Sequence, residues 1–277
     1  MRELPVVCCD LDGVIWRGDD PIPGAASGVS ILRAAGLRVA FLSNNSSHLV
    51  SEVVAKLARH GIVTSPRDVF TSARAAANML VGRLAPGSRV LVCGGAGVEE
   101  ALARGGFEPV QAAPPDDIPS AVVVGFHRGF DFDGLTRAVD AVRAGAVFIA
   151  TNLDPTYPVP GGLVPGAGAI VAAVATASGR DPEVAGKPAA PTVSMVRREF
   201  GARGVVIGDR PSTDGALADA LGWPFALVLS GVTKAIAPPG GEQIPVPAPP
   251  YVADDLGVLA PVLVAALLPG STASGSA

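Results

Sequence analysis

The sequence has few residues of several types, and each shortage excludes a class of protein. Among 277 residues only three are cysteines (Cys8, Cys9 and Cys93) and three are histidines, without CxxC or metal-ligand spacing. Neither a disulfide framework nor a zinc site is therefore expected, and a reducing, cytoplasmic setting fits best. Charged residues make up 17%, and the net charge of −4 leaves no basic stripe of the kind that binds nucleic acid.

Long hydrophobic runs are also missing. The longest, residues 256–268, contains Pro261 and is too short to span a bilayer. Asp10 and Asp12 interrupt the short apolar run near the beginning of the chain, so no secretory leader is expected. The sequence thus predicts a protein with neither a nucleic-acid nor a membrane partner.

Glycine and proline are abundant instead. The 34 glycines and 26 prolines make up about 22% of the chain, against roughly 12% in average proteins. Hydrophobic residues reach 49%, which supplies a large core and argues against intrinsic disorder. We therefore expect many tight turns between short buried elements.

Short apolar runs alternate with amphipathic segments along most of the chain. The runs suit strands buried on both faces of a parallel sheet and cover residues 5–9, 37–42, 89–93, 121–125, 147–150, 204–207 and 225–229. The amphipathic segments predict helices over residues 25–35, 48–60, 73–84, 98–104, 132–144, 167–178, 191–200 and 213–221, six of them followed by a glycine typical of helix ends. This alternation predicts an α/β fold with right-handed crossovers. Residues 109–119 and 157–165 are predicted to be loops.

Two carboxylates follow the first apolar run, in Asp10-Leu11-Asp12-Gly13. Both can face one pocket at the carboxyl end of a strand, where open parallel sheets bind ligands. Clustered acids are costly to ionise together unless a cation neutralises them, and hard oxygen ligands suit Mg²⁺. An ordinary acidic surface turn is the alternative at this position.

Three further polar clusters follow later apolar runs. The first, SNNSS of residues 43–47, precedes a predicted helix whose free N–H groups favour an anion, although simple N-capping is the alternative. The second is Lys187, which by default is a solvated loop lysine. The third is GDRPSTD of residues 208–214, where an N-cap and a favourable helix-dipole charge are the simpler explanation.

The order of these clusters resembles that of haloacid dehalogenase superfamily phosphatases. The similarity is to subfamily IIA, whose large C2-type cap is inserted between the second and third motifs, and which includes NagD-like, nitrophenylphosphatase-like and phosphoglycolate phosphatase-like enzymes. It extends over nearly the whole chain, through DLDGVIWRGDDPIPGA, FLSNNSS, VFTSA, ATNLDPTYP, PGAGAI, AGKP, GDRPSTD and LVLSGV. The resemblance implies a Rossmann-like α/β core with a parallel sheet over residues 1–79 and 180–269, an α/β cap over residues 80–179 and a flexible tail over residues 270–277.

The resemblance also implies magnesium-dependent hydrolysis of a small phosphate monoester through an aspartyl phosphate. Asp10 would be the nucleophile, and Asp12 the general acid and then the general base. Mg²⁺ would be held by the Asp10 carboxylate, the main-chain carbonyl of Asp12 and the Asp209 carboxylate, and Asp214 would orient metal-bound water. The phosphoryl oxygens would be bound by Gly13, Ser43, Asn44, Asn45 and Lys187.

The cap would supply substrate specificity. The resemblance points to Asn152, Asp154 and Tyr157, and Tyr157 stands where relatives vary with substrate. The alternative is that Asp154 and the proline after it only shape a turn. His127 departs from the relatives, which often carry an acid there, so it receives no role. Cap-mediated pairing occurs among relatives, so the resemblance is compatible with a homodimer.

Other functions stay open at this stage. A dinucleotide-binding domain is disfavoured because the glycines of residues 94–97 do not complete GxGxxG. A non-catalytic phosphometabolite-binding protein on the same fold would be expected to lose a catalytic acid, yet all four are present. A phosphomutase would keep Asp10 and Asp12, and only the resemblance of the cap argues against it. The substrate stays open among glycerol phosphate, phosphoglycolate, nucleoside monophosphates and pyridoxal phosphate, and the proline-rich residues 238–250 have no predicted role.

Overall fold

The computed structural model describes residues 4–112, 117–235 and 241–268. Its strands are β1 (Val6–Cys9), β2 (Trp16–Arg17), β3 (Asp20–Pro21), β4 (Val39–Ser43), β5 (Val69–Thr71), β6 (Arg89–Cys93), β7 (Glu108–Val110), β8 (Ala121–Val124), β9 (Val147–Ala150), β10 (Thr156–Val159), β11 (Gly162–Pro165), β12 (Glu183–Val184), β13 (Gly204–Gly208), β14 (Phe225–Val228), β15 (Thr233–Lys234), β16 (Glu242–Gln243) and β17 (Tyr251–Ala253). The seven apolar runs of the sequence all form strands within one or two residues of the predicted bounds.

Helices occupy the segments between the longer strands. They are α1 (Ala25–Ala34), α2 (Val50–Arg59), α3 (Ser72–Leu80), α4 (Ala96–Arg104), α5 (Phe132–Arg143), α6 (Ala167–Ser178), α7 (Ala190–Phe200), α8 (Ala216–Leu221) and α9 (Leu256–Leu267), with a 3₁₀ turn at Pro66–Asp68 and a π turn at Pro211–Gly215. Side chains fix several of the first turns: Asp131 accepts a hydrogen bond from the main chain of α5, and Asp255 does the same for α9. No helix among the described residues is long and apolar enough to cross a bilayer.

The first sheet has six parallel strands, in the order β17-β14-β13-β1-β4-β5. Its central strand β1 pairs with β13 and β4, so that Val7 lies between Val205 and Val39. Val7 and Cys9 pack on one face beneath α1, α2 and α9, while Val6 and Cys8 pack on the other beneath α3, α7 and α8. Burial on both faces explains why these strands carry no polar alternation.

A second parallel sheet, in the order β12-β9-β8-β6-β7, lies in the segment predicted to be the cap and in the strand that follows it. One face packs on α5 and α6. The other face, together with α4, joins the same hydrophobic cluster as α3 of the first sheet. The two sheets therefore share buried apolar contacts.

Two hairpins complete the structure beside the first polar cluster. Residues 157–165 were predicted to be a loop, and this prediction is wrong, because they form most of the hairpin β10–β11. Prolines within the strands obscured the pattern, and Gly161, at φ 87°, allows the tight turn. The other hairpin is β2–β3, and the N–H of Gly18 at its tip donates to the carbonyl of Pro158 at 3.3 Å.

The α/β fold with parallel sheets is as predicted from the alternating pattern. The predicted tail of residues 270–277 lies outside the described residues. Residues 238–240, the first part of the proline-rich segment, also lie outside them, but Glu242 of that segment is described in β16. Its carboxylate accepts a hydrogen bond from the main-chain N–H of Ser212 at 3.0 Å, so this segment packs on the GDRPSTD loop.

Candidate active site

Three adjacent strands bring the predicted motifs to one edge of the first sheet. Strands β1, β4 and β13 lie side by side and parallel, so the residues that follow them share one end of the sheet. Asp10 follows β1, Asn44 follows β4 and Asp209 follows β13. This is the carboxyl edge, where open α/β sheets bind their ligands.

Lys187 reaches this edge from the loop between β12 and α7. Its ammonium lies 2.5 Å from Asp10 Oδ1 and 2.7 Å from Asp214 Oδ1. It also donates to the carbonyl of Leu42 at 3.2 Å. The side chain is 4% exposed, so it is no solvated loop lysine. Burial lowers its pKa, but the two carboxylates more than offset this, and the pKa of Lys187 is raised overall.

The buried acids form a group that fits a divalent cation. One oxygen from each of Asp10, Asp209 and Asp214 lies within 4.8 Å of the others, and all three residues are buried. Burial and the neighbouring carboxylates raise the pKa of Asp209 to about 7 and that of Asp10 well above its ordinary value. Clustered buried acids with one lysine leave negative charge that a hard cation would neutralise.

The Asp209 carboxylate is held from the opposite side by the loop after β14. Its Oδ2 accepts a hydrogen bond from the N–H of Val232 at 2.5 Å. A Cβ at Gly231 or at Gly13 would overlap this carboxylate, so both positions require glycine. Ser230 Oγ donates to the carbonyl of Gly13 at 2.7 Å. The N–H of Gly13 donates to the Trp16 carbonyl at 2.7 Å, so this predicted phosphate donor is already engaged.

Asp12 stands apart from the acidic group and faces two aromatic residues. Trp16 Nε1 donates to Asp12 Oδ1 at 2.7 Å, and the Tyr157 hydroxyl is hydrogen-bonded to the same carboxylate. Burial raises the pKa of Asp12, while the Trp16 bond and the charge of Lys56 oppose this shift. A carboxyl group with a raised pKa suits proton donation near neutral pH.

Asn44 connects Lys187 with the second sheet. Its amide nitrogen donates to both oxygens of Asp154 at 3.1 Å, and its amide oxygen accepts from the Lys187 main-chain N–H at 2.8 Å. The main-chain carbonyl of Asn44 accepts hydrogen bonds from Asn152 Nδ2 and from Ser72 Oγ, both at 2.6 Å. Both ends of the Asn44 side-chain amide are therefore occupied, and its contact with phosphate stays a prediction.

The other two predicted phosphate ligands of the SNNSS cluster are Ser43 and Asn45. Ser43 is buried, and its hydroxyl accepts from the N–H of Asn45 at 3.0 Å. Asn45 lines a cavity beside the acids, and its side-chain oxygen accepts a hydrogen bond from the Ser47 N–H. Of the predicted phosphate ligands, Ser43, Asn45 and Lys187 thus remain nearest to the role expected of them.

A cavity of about 50 Å³ lies between the acids and the hairpin β10–β11. Asp154 and Tyr157, from the segment predicted to be the cap, line it, and burial raises the pKa of Asp154. The Tyr157 ring stacks on Phe126, with ring centroids 5.9 Å apart. His127 lies elsewhere, beside Cys93 in a separate cavity. The three cap residues expected to set specificity, Asn152, Asp154 and Tyr157, therefore all lie at the site edge.

Arg210 is a site residue that received no role from the sequence. It is buried, and its guanidinium donates to the carbonyl of Thr156 at 3.2 Å and lies 3.6 Å from Glu242. The main-chain N–H of Arg210 donates to Asp214 Oδ2 at 3.2 Å. Arg210 therefore joins the fourth motif to β10. Its only signal in the sequence is its position inside GDRPSTD.

Two family models match the chain at the segments that build this site. A haloacid dehalogenase-like hydrolase model matches residues 7–108, and a related model of the same kind matches residues 184–259. Together they cover more than half of the chain. The chain belongs to the haloacid dehalogenase-like hydrolases.

The named relatives of this hydrolase include several phosphatases. D-glycerol 3-phosphate phosphatase of Mycobacterium tuberculosis is 41% identical over 257 residues, covering 92% of this chain and 70% of the relative. Glycerol-3-phosphate phosphatase of Gallus gallus is 34% identical, covering 95% and 93%. The solved structure of the M. tuberculosis glycerol phosphate phosphatase in complex with magnesium superimposes with a TM-score of 0.80 at 40% identity, covering 93% of this chain and 77% of that one.

These matches confirm several expectations for the hydrolase. The haloacid dehalogenase family, the α/β fold and the phosphatase class are as predicted from the motif order. The expected magnesium agrees with the metal in the M. tuberculosis structure and with the acidic group of this chain.

Proposed function

We propose that this hydrolase is a magnesium-dependent phosphatase that cleaves a small polyol phosphate of the glycerol phosphate type through a phosphorylated Asp10. The observation that carries the proposal is the contact of Lys187 with Asp10 and Asp214, beside a group of three acids that fits a divalent cation. The substrate class is supported by the two relatives named as glycerol phosphate phosphatases.

In the first step a carboxylate oxygen of Asp10 attacks phosphorus, and the bond from phosphorus to the leaving-group oxygen breaks. Lys187, on Oδ1 of Asp10, orients the nucleophile and neutralises charge on the phosphoryl oxygens. Asp12 donates its proton to the leaving oxygen, so the alcohol departs neutral. Mg²⁺ bound by Asp10, Asp209 and the Asp12 carbonyl, with Asp214 in support, would supply the remaining positive charge.

In the second step a water molecule attacks the phosphorus of the phosphorylated Asp10. Asp12, now a carboxylate, takes a proton from that water, and the bond between Asp10 and phosphorus breaks. Inorganic phosphate leaves, and both acids return to their starting states. Trp16 and Tyr157 hold the Asp12 carboxylate for both proton transfers.

The phosphoryl group is proposed to bind Lys187, Ser43 and Asn45 directly. Asn44 serves by positioning Lys187 and Asp154, because its amide is fully used. Gly13 serves by leaving room for the Asp209 carboxylate. Asn152, Asp154 and Tyr157 are proposed to face the substrate side.

We further propose that residues 80–179 form the cap on a core of residues 1–79 and 180–269. Support comes from α3, which ends at Leu80, and from the second sheet, whose strands β6 to β9 lie between these bounds. A cytoplasmic location is proposed because all three cysteines are buried and free. A small-molecule substrate, no nucleic-acid partner and a cap-mediated homodimer complete the proposal, and sedimentation analysis tests the homodimer.

Phosphate release from a panel of esters tests the proposal. Purified protein should hydrolyse glycerol 3-phosphate and p-nitrophenyl phosphate with Mg²⁺, and excess EDTA should abolish both activities. Restoring Mg²⁺ after EDTA serves as the control for irreversible damage. Turnover that is independent of metal, or no turnover of any phosphate ester, would contradict the proposal.

A further inference from the structure

A second cavity, of about 330 Å³, opens beside the catalytic one on the Asp12 side. It lies between α2, the hairpin β2–β3 and the Tyr157 ring. Its volume far exceeds the roughly 10–15 Å³ that one water molecule requires. Asp12, Asn45 and Tyr157 line both cavities, so the two meet at the group proposed to donate the proton.

This position determines what the second cavity can hold. In an in-line displacement the leaving oxygen lies opposite the attacking oxygen of Asp10 and within reach of Asp12. The catalytic cavity, at about 50 Å³, is much smaller than its neighbour. The carbon skeleton of the leaving group would therefore extend past Asp12 into the second cavity. This inference rests on the proposed phosphatase function.

The cation inside this cavity, Lys56, already has partners. The Lys56 ammonium lies 3.3 Å from Asp19 Oδ1 and donates to the Gly18 carbonyl at 2.5 Å. It also lies 4.4 Å from the centroid of the Trp16 ring, at cation–π distance.

At the mouth of the cavity, a histidine faces a carboxylate. His48 Nδ1 lies 3.6 Å from Glu52 Oε2, and that carboxylate also accepts from the Leu49 N–H at 3.0 Å. Arg59 reaches the rim as an exposed side chain, where water screens its charge. An anionic leaving group would thus meet the Glu52 carboxylate at the mouth without a free buried cation among the described residues of the lining.

We propose that this cavity is the leaving-group subsite and that it selects a neutral polyhydroxylated leaving group over an anionic one. Hydroxyl groups can donate to the carboxylates and accept from Lys56, and a carbon skeleton can lie against Trp16 and Tyr157. A carboxylate or a second phosphate would instead be repelled by the Glu52 carboxylate. The substrate class is therefore the monophosphates of small polyols, with phosphoglycolate and bisphosphates disfavoured.

Charge reversal at the cavity mouth tests this selection. The value of kcat/KM is measured for glycerol 3-phosphate, phosphoglycolate and p-nitrophenyl phosphate. The wild type should favour glycerol 3-phosphate over phosphoglycolate. Glu52→Lys should move this ratio toward phosphoglycolate by at least about fivefold, the effect of one new charge pair at contact distance in water. Lys56→Met should lower kcat/KM for glycerol 3-phosphate more than for p-nitrophenyl phosphate, whose ring offers no hydroxyl groups.

Asp20→Lys is the matched control, because it makes an equal charge change on the exposed strand β3 outside the cavity lining. It should leave the substrate ratio unchanged. Equal ratios in Glu52→Lys and Asp20→Lys, or a wild type that favours phosphoglycolate, would overturn the subsite while leaving the phosphatase intact. A folded wild type without any magnesium-dependent turnover would instead overturn the proposed function on which the subsite rests.

Discussion

Lys187 is a buried cation that contacts two carboxylates of the site. It is buried and touches the carboxylates of Asp10 and Asp214, while Asn44 fixes its main chain. Removing one partner of a buried charged group leaves the other uncompensated and costs about 3–5 kcal/mol. Substitution at Lys187 therefore mixes loss of stability with loss of activity, and Asp10 offers the cleaner test of mechanism.

Asp10→Asn should lower kcat by at least about 10³-fold, because a carboxamide is no nucleophile toward phosphorus. The fold should survive, since the substitution preserves shape and Lys187 keeps Asp214 as its partner. Phosphate release measures the first effect, and circular dichroism with thermal unfolding measures the second. Activity near that of the wild type in the folded variant would remove Asp10 from the role of nucleophile.

Tyr157 separates proton-transfer support from substrate contact. Tyr157→Phe keeps the stack on Phe126 but loses the hydrogen bond to Asp12, so kcat should fall similarly for all alkyl phosphates. Tyr157→Ala also opens the cavity wall, so it should change the kcat/KM ratios between substrates. Steady-state kinetics over an ester panel measures both, and a uniform loss in Tyr157→Ala would count against a specificity role.

At the scale of elements, the N-terminus of α4 packs directly on the loop that follows β4. The N–H of Gly97 donates to the Ser47 carbonyl at 3.2 Å. Glu100 on α4 accepts from the N–H of Val50, the first residue of α2, at 2.9 Å. Helix α4 and the segment from Ser47 to Val50 therefore satisfy main-chain groups of each other, which keeps the second motif next to α4.

Gly97→Ala should weaken this contact. A Cβ there would overlap the carbonyls of Ser46 and His48, and such overpacking costs about 1–3 kcal/mol, although alanine alone favours a helix by about 1 kcal/mol. Chemical denaturation measures the loss. Gly129→Ala is the control, because a Cβ there meets only His127 Nδ1 at 3.8 Å, an ordinary contact distance, and should not destabilise. Equal stability of the two variants would rule out close packing at Gly97.

The two connections between the sheets are joined by an ion pair. Arg83 follows α3 and Glu183 begins β12, and their side chains form two hydrogen bonds at 2.7 and 2.8 Å. The hydrogen bonds from Arg83 lower the pKa of Glu183 below its ordinary value of 4.5. The stabilisation is therefore fully present above pH 4.5 and is lost as the pH falls through the lowered pKa.

Glu183→Gln should reduce the free energy of unfolding at pH 7 by about 0.2–1 kcal/mol, because the pair is half exposed. The difference from wild type should shrink below the ordinary glutamate pKa and with added salt. Urea unfolding at a series of pH values measures it. A difference that persists unchanged in strong acid would contradict the ion-pair explanation.

At the scale of the whole molecule, one hydrophobic cluster extends across both sheets. Ala73 and Leu80 of α3 share it with Val98 of α4 and with Val90 and Val123 of the second sheet. This continuity joins the second sheet to the helices that cover the first sheet. Magnesium adds a separate source of stability, because it binds only where the folded chain assembles its ligands.

Mg²⁺ should therefore raise the melting temperature of the wild type. At a free concentration of about 100 times Kd, binding adds about 2.7 kcal/mol. Asp209→Asn should lose most of this rise, whereas Asp20→Asn, at an exposed position, should keep it. Differential scanning calorimetry with and without Mg²⁺ measures the effect. An equal rise in both variants would contradict the assignment of Asp209 to the metal.

The sequence predicted the buried strands well, because runs such as VVCC and GVVIG carry no polar alternation. It also predicted six glycines at helix ends, and all six have positive φ, a conformation that glycine adopts without strain. It gave no sign of β5 or β17, which are only three residues long, nor of the proline-containing hairpin β10–β11. Short strands acquire their structure from neighbours that are distant in the chain.

Motif order brought the candidate site residues into view, but contacts across the chain decided how they are arranged. Asn44 resembled a phosphate ligand, yet its amide is occupied by Asp154 and Lys187, more than 100 positions away. The contact of Arg210 with Thr156 likewise joins two motifs that no local pattern relates. Residue types were predictable, whereas these partnerships depend on the packing of two sheets.

The most direct test is to find the covalent intermediate. In Asp12→Asn the general base is lost, while p-nitrophenyl phosphate has a leaving group that departs without a proton, so the phosphorylated protein should accumulate. Acid quenching followed by peptide mass spectrometry should find one phosphoryl group on Asp10, formed only with Mg²⁺. A phosphoryl group on another residue, or turnover of the ester by this variant with Asp10 unmodified, would contradict the mechanism.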